Sequence, residues 1–164
     1  MDDITGLPIN ETDVLVTREV RWFHEGAVPD EVLDWFTIGG EVGFRENRAD
    51  TYDMAQAGRG IGLKYRGGQS YDAKHRVSIR EPLVFGGFVG IIEDWVKVSH
   101  PIGGPQGIED PLVIEKQITT RRYVLGGATI DDGSGGCDIE VSSIRFGGRS
   151  YWSFAFETFG HPSR

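Results

Sequence analysis

Basic residues alternate along residues 60–80 in a pattern that suits the binding of an anion. The segment reads GIGLKYRGGQSYDAKHRVSIR, and its two alternating runs flank Gly67 and Gly68, which predicts a β-hairpin. Successive side chains of a strand point to opposite faces, so Lys64 and Arg66 share one face. In the second run, one face carries Asp72, Lys74, Arg76, Ser78 and Arg80.

At least four cations therefore lie on one face of the hairpin. Like charges side by side on a sheet repel each other, so their grouping in a chain of net charge -8 indicates an anionic ligand. Arginine contacts phosphate oxygens in a bidentate way, and lysine acts as a point charge. The cations available for a polyphosphate are Lys64, Arg66, Lys74, Arg76 and one of Arg121 or Arg122.

Carboxylates in the same cavity would repel such a ligand unless a divalent cation bridged them. Glu19, Asp138 and Glu140 are the candidates for holding Mg or Mn, with water completing the shell. A bound metal ion would polarise a phosphoryl oxygen and lower the pKa of an attacking water.

Length and composition describe one ordinary domain over residues 1–164, of which 38% are hydrophobic. No apolar stretch is long enough to span a bilayer, and the N-terminus lacks the pattern of a signal peptide, so we expect a cytoplasmic protein without a membrane partner. The acidic balance argues against nucleic-acid binding and leaves a small anionic, phosphate-containing ligand as the expected partner. The oligomeric state stays open.

Hydrophobic periodicity places strands at 13–24, 41–53, 112–125, 137–146 and 149–158, besides the hairpin, and one helix at 29–37. Pro29, Asp30 and Glu31 suit the first turn of that helix. Residues 84–98 fit a strand, a loop or a short helix around 91–98, and residues 99–111 predict a long connection.

These elements predict a mainly β (α+β) fold: an antiparallel, closed barrel or tunnel of about eight strands with a few short flanking helices. Closure removes the exposed edges that a sheet of this length would otherwise carry.

Several short motifs follow one another in an order that resembles the CYTH superfamily, the triphosphate tunnel metalloenzymes. That family has an ExExK first strand, a segment like DTYxD, an RxR strand, a strand with Lys, a KxR strand and a late ExE strand. The corresponding pieces here are Thr17-x-Glu19-x-Arg21, Asp50-Thr51-Tyr52-Asp53, Lys64-x-Arg66, Lys74-x-Arg76, Lys116 with Arg121 or Arg122, and Asp138-x-Glu140.

The resemblance implies an eight-stranded tunnel with inward cations and carboxylates, and Mg- or Mn-dependent binding and hydrolysis of a triphosphate. Carried over by position, it assigns catalytic roles to Glu19 and Lys74 and metal binding to Glu19, Asp138 and Glu140. The substrate-binding set becomes Arg21, Lys64, Arg66, Lys74, Arg76, Lys116, Arg121 and Arg122.

Two other functions are compatible with the same pattern. Thr17 stands where the family has its first Glu, which favours a barrel that binds an anionic metabolite without catalysis. A lipocalin-like carrier of an apolar ligand would need the opposite face, with Ile61, Leu63 and Tyr65, to line the lumen, and a one-residue change of register would exchange the faces. An alternating charged face is also typical of a solvated sheet.

Overall fold

A computed structural model describes residues 13–38, 44–67, 70–85, 87–101, 107–124 and 135–160. Its strands are β1 (Asp13–Glu25), β2 (Phe44–Asp53), β3 (Ile61–Arg66), β4 (Ser70–Ile79), β5 (Leu83–Phe85), β6 (Phe88–Gly90), β7 (Glu93–Pro101), β8 (Pro111–Val124), β9 (Gly136–Phe146) and β10 (Arg149–Phe159). The described residues contain one α-helix, α1 (Asp30–Thr37), and one 3₁₀ helix, Met54–Arg59.

Eight of the strands form a closed antiparallel barrel in the order β1-β10-β9-β8-β2-β3-β4-β7. The long strand β1 closes it: residues 13–19 pair with β7, and residues 18–25 pair with β10. The predicted mainly β, eight-stranded closed barrel is confirmed. None of the helices in the described part of the chain is long and apolar enough to cross a membrane.

The apolar packing lies largely outside the barrel. Helix α1 places Phe36, which is 1% exposed, against Phe154 of β10, and Trp35 packs beside them. The next stretch of outer wall is covered by the β5–β6 hairpin, where Trp22 Nε1 donates a hydrogen bond to the Val89 carbonyl at 3.0 Å. The barrel interior combines charged side chains with apolar ones, such as the buried Ile118 and Ile144.

The predicted hairpin at residues 60–80 forms as β3 and β4, and it begins its turn at Gly67 with a φ of +54°. One detail of the prediction is wrong. A register shift between Arg76 and Ser78 marks a bulge, after which Ser78 and Arg80 leave the face of Lys74 and bond Asp94 beside Arg18. A bulge adds one residue to one strand and so reverses the alternation beyond it.

The open segment 84–98 forms strands, not a helix: β5, β6 and the start of β7. The predicted connection at 99–111 is shorter than expected at both ends, because β7 continues to Pro101 and β8 begins at Pro111. The first residues of the predicted strand 41–53 lie outside the described residues, and the strand is seen from Phe44.

Candidate functional site

The barrel encloses a cavity of about 960 Å³ that is lined by side chains from all eight of its strands. Cations and carboxylates line it in nearly equal numbers. The cations are Arg21, Arg48, Lys64, Arg66, Lys74, Lys97, Lys116 and Arg122, and the carboxylates are Glu19, Glu46, Asp72, Glu93, Asp138, Glu140 and Glu157. The cavity is therefore close to neutral, and the acidic balance of the chain comes from its other residues.

Four of the cations form a group that we call the basic wall: Lys64, Arg66, Lys97 and Lys116. Burial, followed by the charges of Arg66 and Lys116, lowers the pKa of Lys64 to about 7. Burial and the charge of Arg66 also lower the pKa of Lys97. The neighbouring cations are thus close enough to Lys64 and Lys97 to disfavour the protonated forms of these two lysines.

The basic wall has more cations than carboxylates. One of its carboxylates is the fully buried Asp50, which Lys116 contacts at 3.4 Å and Arg48 contacts at 3.0 Å.

A second carboxylate of the wall belongs to Asp72, which is 2% exposed. It is shared by Arg66 at 2.7 Å, Lys64 at 3.7 Å and the Ser99 hydroxyl at 2.8 Å. Burial alone would raise the pKa of Asp72, but the Ser99 hydrogen bond and the nearby cations lower it. Within the described residues, Lys97 has no carboxylate at ion-pair distance.

Carboxylates form a second group, the acidic row, which crosses four neighbouring strands of the barrel. Each of its carboxylates pairs with the next across adjacent strands, in the spatial order β7, β1, β10 and β9. The row consists of Glu93, Glu19, Glu157 and Asp138, and all four line the cavity. Glu93 bonds Arg76 at 2.7 Å, and Asp138 holds Arg122 through two contacts of 2.6 and 2.7 Å. Glu157 has no cation at ion-pair distance in the described part of the chain.

Two further ion pairs in the cavity connect side chains of different strands. Lys74 reaches over the Trp95 ring, 5.1 Å from its centroid, and bonds Glu19 at 2.5 Å. Arg21 bonds Glu140 at 2.7 Å. Burial would raise the pKa of Glu140, but the charge and hydrogen bond of Arg21 lower it to about 2.

Most of the predicted site residues meet in this one cavity. Its lining includes Glu19, Arg21, Lys64, Arg66, Lys74, Lys116, Arg122, Asp138 and Glu140. Arg76 lies at its border, paired with Glu93 and 5.9 Å from the Trp95 ring centroid.

Arg121 is a correction to the predicted set. It neighbours Arg122 on a strand, so its side chain faces outwards, where it donates hydrogen bonds to the carbonyls of Phe36 and, at 3.2 Å, Ile38. It also lies 5.9 Å from the Trp35 ring centroid. Arg121 therefore binds the last carbonyls of α1, and Arg122 is the member of the pair that lines the cavity.

Sequence reasoning missed Lys97, Glu93 and Glu157. On β7, alternate residues point into the cavity, namely Glu93, Trp95, Lys97 and Ser99, with Val96 and Val98 between them. This alternation indicates a strand, but residues 91–98 also fit a helix, so the inward face was not predicted. Glu157 follows Ser153 and Ala155 on the inward face of β10.

The lumen-facing side of the hairpin distinguishes two of the predicted functions. Gly62, Lys64 and Arg66 line the cavity, whereas Tyr65 faces out and packs on Tyr71 with ring centroids 5.0 Å apart. A lipocalin-like carrier needs the apolar face inside, so this arrangement is the reverse of its requirement.

Carboxylate oxygens are suitable ligands for Mg or Mn, and the acidic row supplies them. Within the described residues, however, no three acidic, His or Cys side chains lie close enough together to hold a metal ion. Glu19, Asp138 and Glu140 are each held by a cation. These oxygen atoms suit a divalent ion by type, but holding one would require the ion pairs to open and the carboxylates to approach one another.

No protein-family model matches the chain, and no curated protein is significantly similar to it in sequence.

Proposed function

We propose that the barrel binds a triphosphate or an organic polyphosphate in its cavity, with the basic wall as the phosphate site. The observation that carries the proposal is the convergence of four cations on one cavity, Lys64, Arg66, Lys97 and Lys116. Burial, and after it the charges of the neighbouring cations, lowers the pKa of Lys64 to about 7. An anion placed among these groups would offset the repulsion between them.

Unused hydrogen-bond donors support the same ligand. Lys97 lacks a carboxylate partner among the described residues, and the buried Nε of Arg66 has no hydrogen-bond acceptor there. Buried donors are normally satisfied, so unsatisfied ones in a cavity wall favour a ligand rich in acceptor oxygens. The cavity also has the size of small-molecule sites, which are about 300–1,000 Å³.

Titration calorimetry with sodium tripolyphosphate tests this function. Lys97→Met removes a charge-assisted contact and is expected to weaken binding by about ten- to a hundredfold. The matched control is Arg145→Met, because Arg145 is exposed on the outer face of β9 and loses the same charge. Absence of binding by the folded wild type, or equal losses in both variants, would reject the proposal.

A second candidate is a metal-dependent triphosphatase, which the acidic row favours. Glu19, Asp138 and Glu140 would hold Mg or Mn, which supplies polarisation of a phosphoryl oxygen and activation of a water. Lys74, beside Glu19, would stabilise the charge that develops on the transferred phosphoryl group. These roles follow from the resemblance of the sequence to the triphosphate tunnel enzymes.

Phosphate release from tripolyphosphate and ATP, with Mg or Mn, separates the two candidates. Release that requires the metal and falls in Lys74→Met would establish hydrolysis. Binding without release would leave a non-catalytic barrel, the version that Thr17, in place of a metal-binding Glu, favours.

A further inference from the structure

The amino group of Lys64 makes few direct contacts in the barrel. Its side chain lines the cavity and is 16% exposed. Among the described residues, the nearest carboxylate oxygen to its Nζ atom belongs to Asp72 and lies at 3.7 Å, which is longer than a hydrogen bond. Arg66 holds the same carboxylate at 2.7 Å. In that part of the chain, the Lys64 amine therefore lies at the cavity wall without a close acceptor.

The surroundings of Lys64 favour its neutral amine over the ammonium ion. Burial, and after it the charges of nearby cations, lowers its pKa to about 7, so about half of the Lys64 side chains are neutral at pH 7. Only the neutral amine has the lone pair that attacks an electrophile, and neighbouring cations are one of the ways in which proteins activate a lysine. The charged groups around it are Arg66 on its own strand, Asp50 on β2, Asp72 on β4, Lys97 on β7 and Lys116 on β8.

Two neighbours of Lys64 suit the steps of carbonyl chemistry. The strand register places Tyr52 of β2 and Asp72 of β4 directly opposite Lys64, one on each side. The Tyr52 hydroxyl oxygen accepts a hydrogen bond from Lys116, and its own O–H is not used in that bond, so it can protonate a carbonyl oxygen. The buried Asp72 carboxylate lies where it would stabilise a protonated imine on Lys64.

We propose that Lys64 is a nucleophile that forms an imine with a small aldehyde or ketone carrying a phosphate or carboxylate group. The other members of the basic wall, Arg66, Lys97 and Lys116, bind the anionic group and so bring the carbonyl carbon to the amine. This covalent activity goes beyond polyphosphate binding and does not depend on it, although both use the same wall.

Imine formation at this position needs no further reactant. The neutral amine attacks the carbonyl carbon, an N–C bond forms, and the carbonyl oxygen takes a proton from Tyr52. The resulting carbinolamine then loses that oxygen as water: the C–O bond breaks, and Tyr52 recovers its proton from the nitrogen. The net change is the release of one water, which carries the carbonyl oxygen and two protons equivalent to those of the amine, and nothing is oxidised or reduced.

Reductive trapping tests the proposal on the wild-type chain. The protein is mixed at pH 7 with glyceraldehyde 3-phosphate and cyanoborohydride, which reduces an imine to a stable amine, and labelled lysines are mapped by peptide mass spectrometry. The four lysines of the chain are Lys64, Lys74, Lys97 and Lys116. We expect Lys64 to be labelled at least about tenfold faster than each of the others, because one pKa unit changes the neutral fraction tenfold. Equal rates, or faster labelling of another lysine, would overturn the proposal.

A matched probe tests the class of substrate. Glyceraldehyde presents the same aldehyde without the phosphate, so it should label Lys64 about ten- to a hundredfold more slowly, the usual effect of losing a charge-assisted contact. Equal rates for the two probes would remove the role of the basic wall and overturn the anionic substrate class.

Two variants separate a nucleophile from a mere charge. Lys64→Arg keeps the positive charge but cannot form an imine, so it should lose the fast labelling and still bind tripolyphosphate. Arg145→Lys is the control, because it adds an exposed lysine on the outer face of β9, which should be labelled slowly while Lys64 keeps its rate. A new lysine that is labelled as fast as Lys64 would overturn the activation of Lys64.

The wild-type comparison decides the matter even if Lys64→Arg fails to fold. Tripolyphosphate binding without preferential labelling of Lys64 rejects this inference and leaves the proposed function standing. Fast labelling of Lys64 in a chain that does not bind tripolyphosphate supports this inference and rejects the proposed function.

Discussion

At the scale of single residues, Lys64 carries a positive charge that the neighbouring carboxylates do not fully balance. Among the described residues, Asp72 at 3.7 Å is the one carboxylate within ion-pair distance of Lys64, and Arg66 holds it more closely at 2.7 Å. Three other cations surround it, and burial removes the water that would otherwise stabilise an ammonium group. The position therefore costs stability in the ligand-free protein, and strain of this kind is typical of a binding site.

This residue predicts an unusual dependence of stability on pH. The folded pKa of Lys64 is about 7 against an ordinary 10.5, so between these values the unfolded chain holds one proton more. Its contribution to the free energy of unfolding therefore rises with pH across that window. Denaturant titrations at several pH values should show wild-type stability rising relative to Lys64→Met. Parallel profiles for the two proteins would contradict the lowered pKa.

The lowered pKa of Lys64 also determines how ligand binding depends on pH. An anion in the basic wall stabilises protonated Lys64, so binding takes up a proton and affinity falls as pH rises above about 7. Calorimetry in buffers of different ionisation enthalpy measures that uptake. The Lys64→Met variant should bind more weakly and should lose the uptake, whereas uptake that persists in the variant would assign the proton to another group.

The β5–β6 hairpin shows how a small element depends on close contact with the barrel. It carries exposed Val84, Phe88 and Val89 and is held to β1 at Gly90 and through Trp22. A Cβ on Gly90 would lie 2.4 Å from Val20 Cγ2 and 2.6 Å from the Trp22 ring, so even a methyl group needs movement of packed side chains. The β5–β6 hairpin packs this closely on β1 because residue 90 has no side chain.

Gly90→Ala is therefore expected to destabilise the protein by about 1–3 kcal/mol, the usual effect of overpacking. Thermal unfolding measures the loss, and Trp22 fluorescence should report displacement of the hairpin. Gly62→Ala is the control, since its added Cβ would meet only Lys74 Cβ at an ordinary 3.7 Å. Equal stability of the two variants would contradict the tight packing at Gly90.

At the scale of strands and helices, the alternation of charged and apolar residues was enough to predict the barrel and most of its inner face. It places Lys64, Arg66 and Lys74 on the same face of the hairpin. It failed at the bulge after Arg76, since an inserted residue leaves no distinct pattern in the sequence. It failed again at Lys97, where the run 91–98 fits a helix as well as a strand. The pairing of Lys74 with Glu19, 55 residues apart, depends on strand order, which no local pattern contains.

At the scale of the whole molecule, charge is distributed unevenly between the cavity lining and the rest of the chain. The charged side chains of the lining almost balance, so the acidic balance of the chain comes from its other residues. All the lysines of the sequence, Lys64, Lys74, Lys97 and Lys116, line the cavity. An acidic chain whose lysines all line one cavity favours a small anion over an extended polyanion such as nucleic acid.

The distribution of lysines allows the central claim to be tested directly. The measurement is the rate of acetylation of each lysine by an amine-reactive ester, followed by mass spectrometry, with and without tripolyphosphate and MgCl₂. We predict that tripolyphosphate slows the labelling of Lys64, Lys74, Lys97 and Lys116, while monophosphate at equal ionic strength does so far less. Labelling rates that tripolyphosphate leaves unchanged would contradict polyphosphate binding in the barrel.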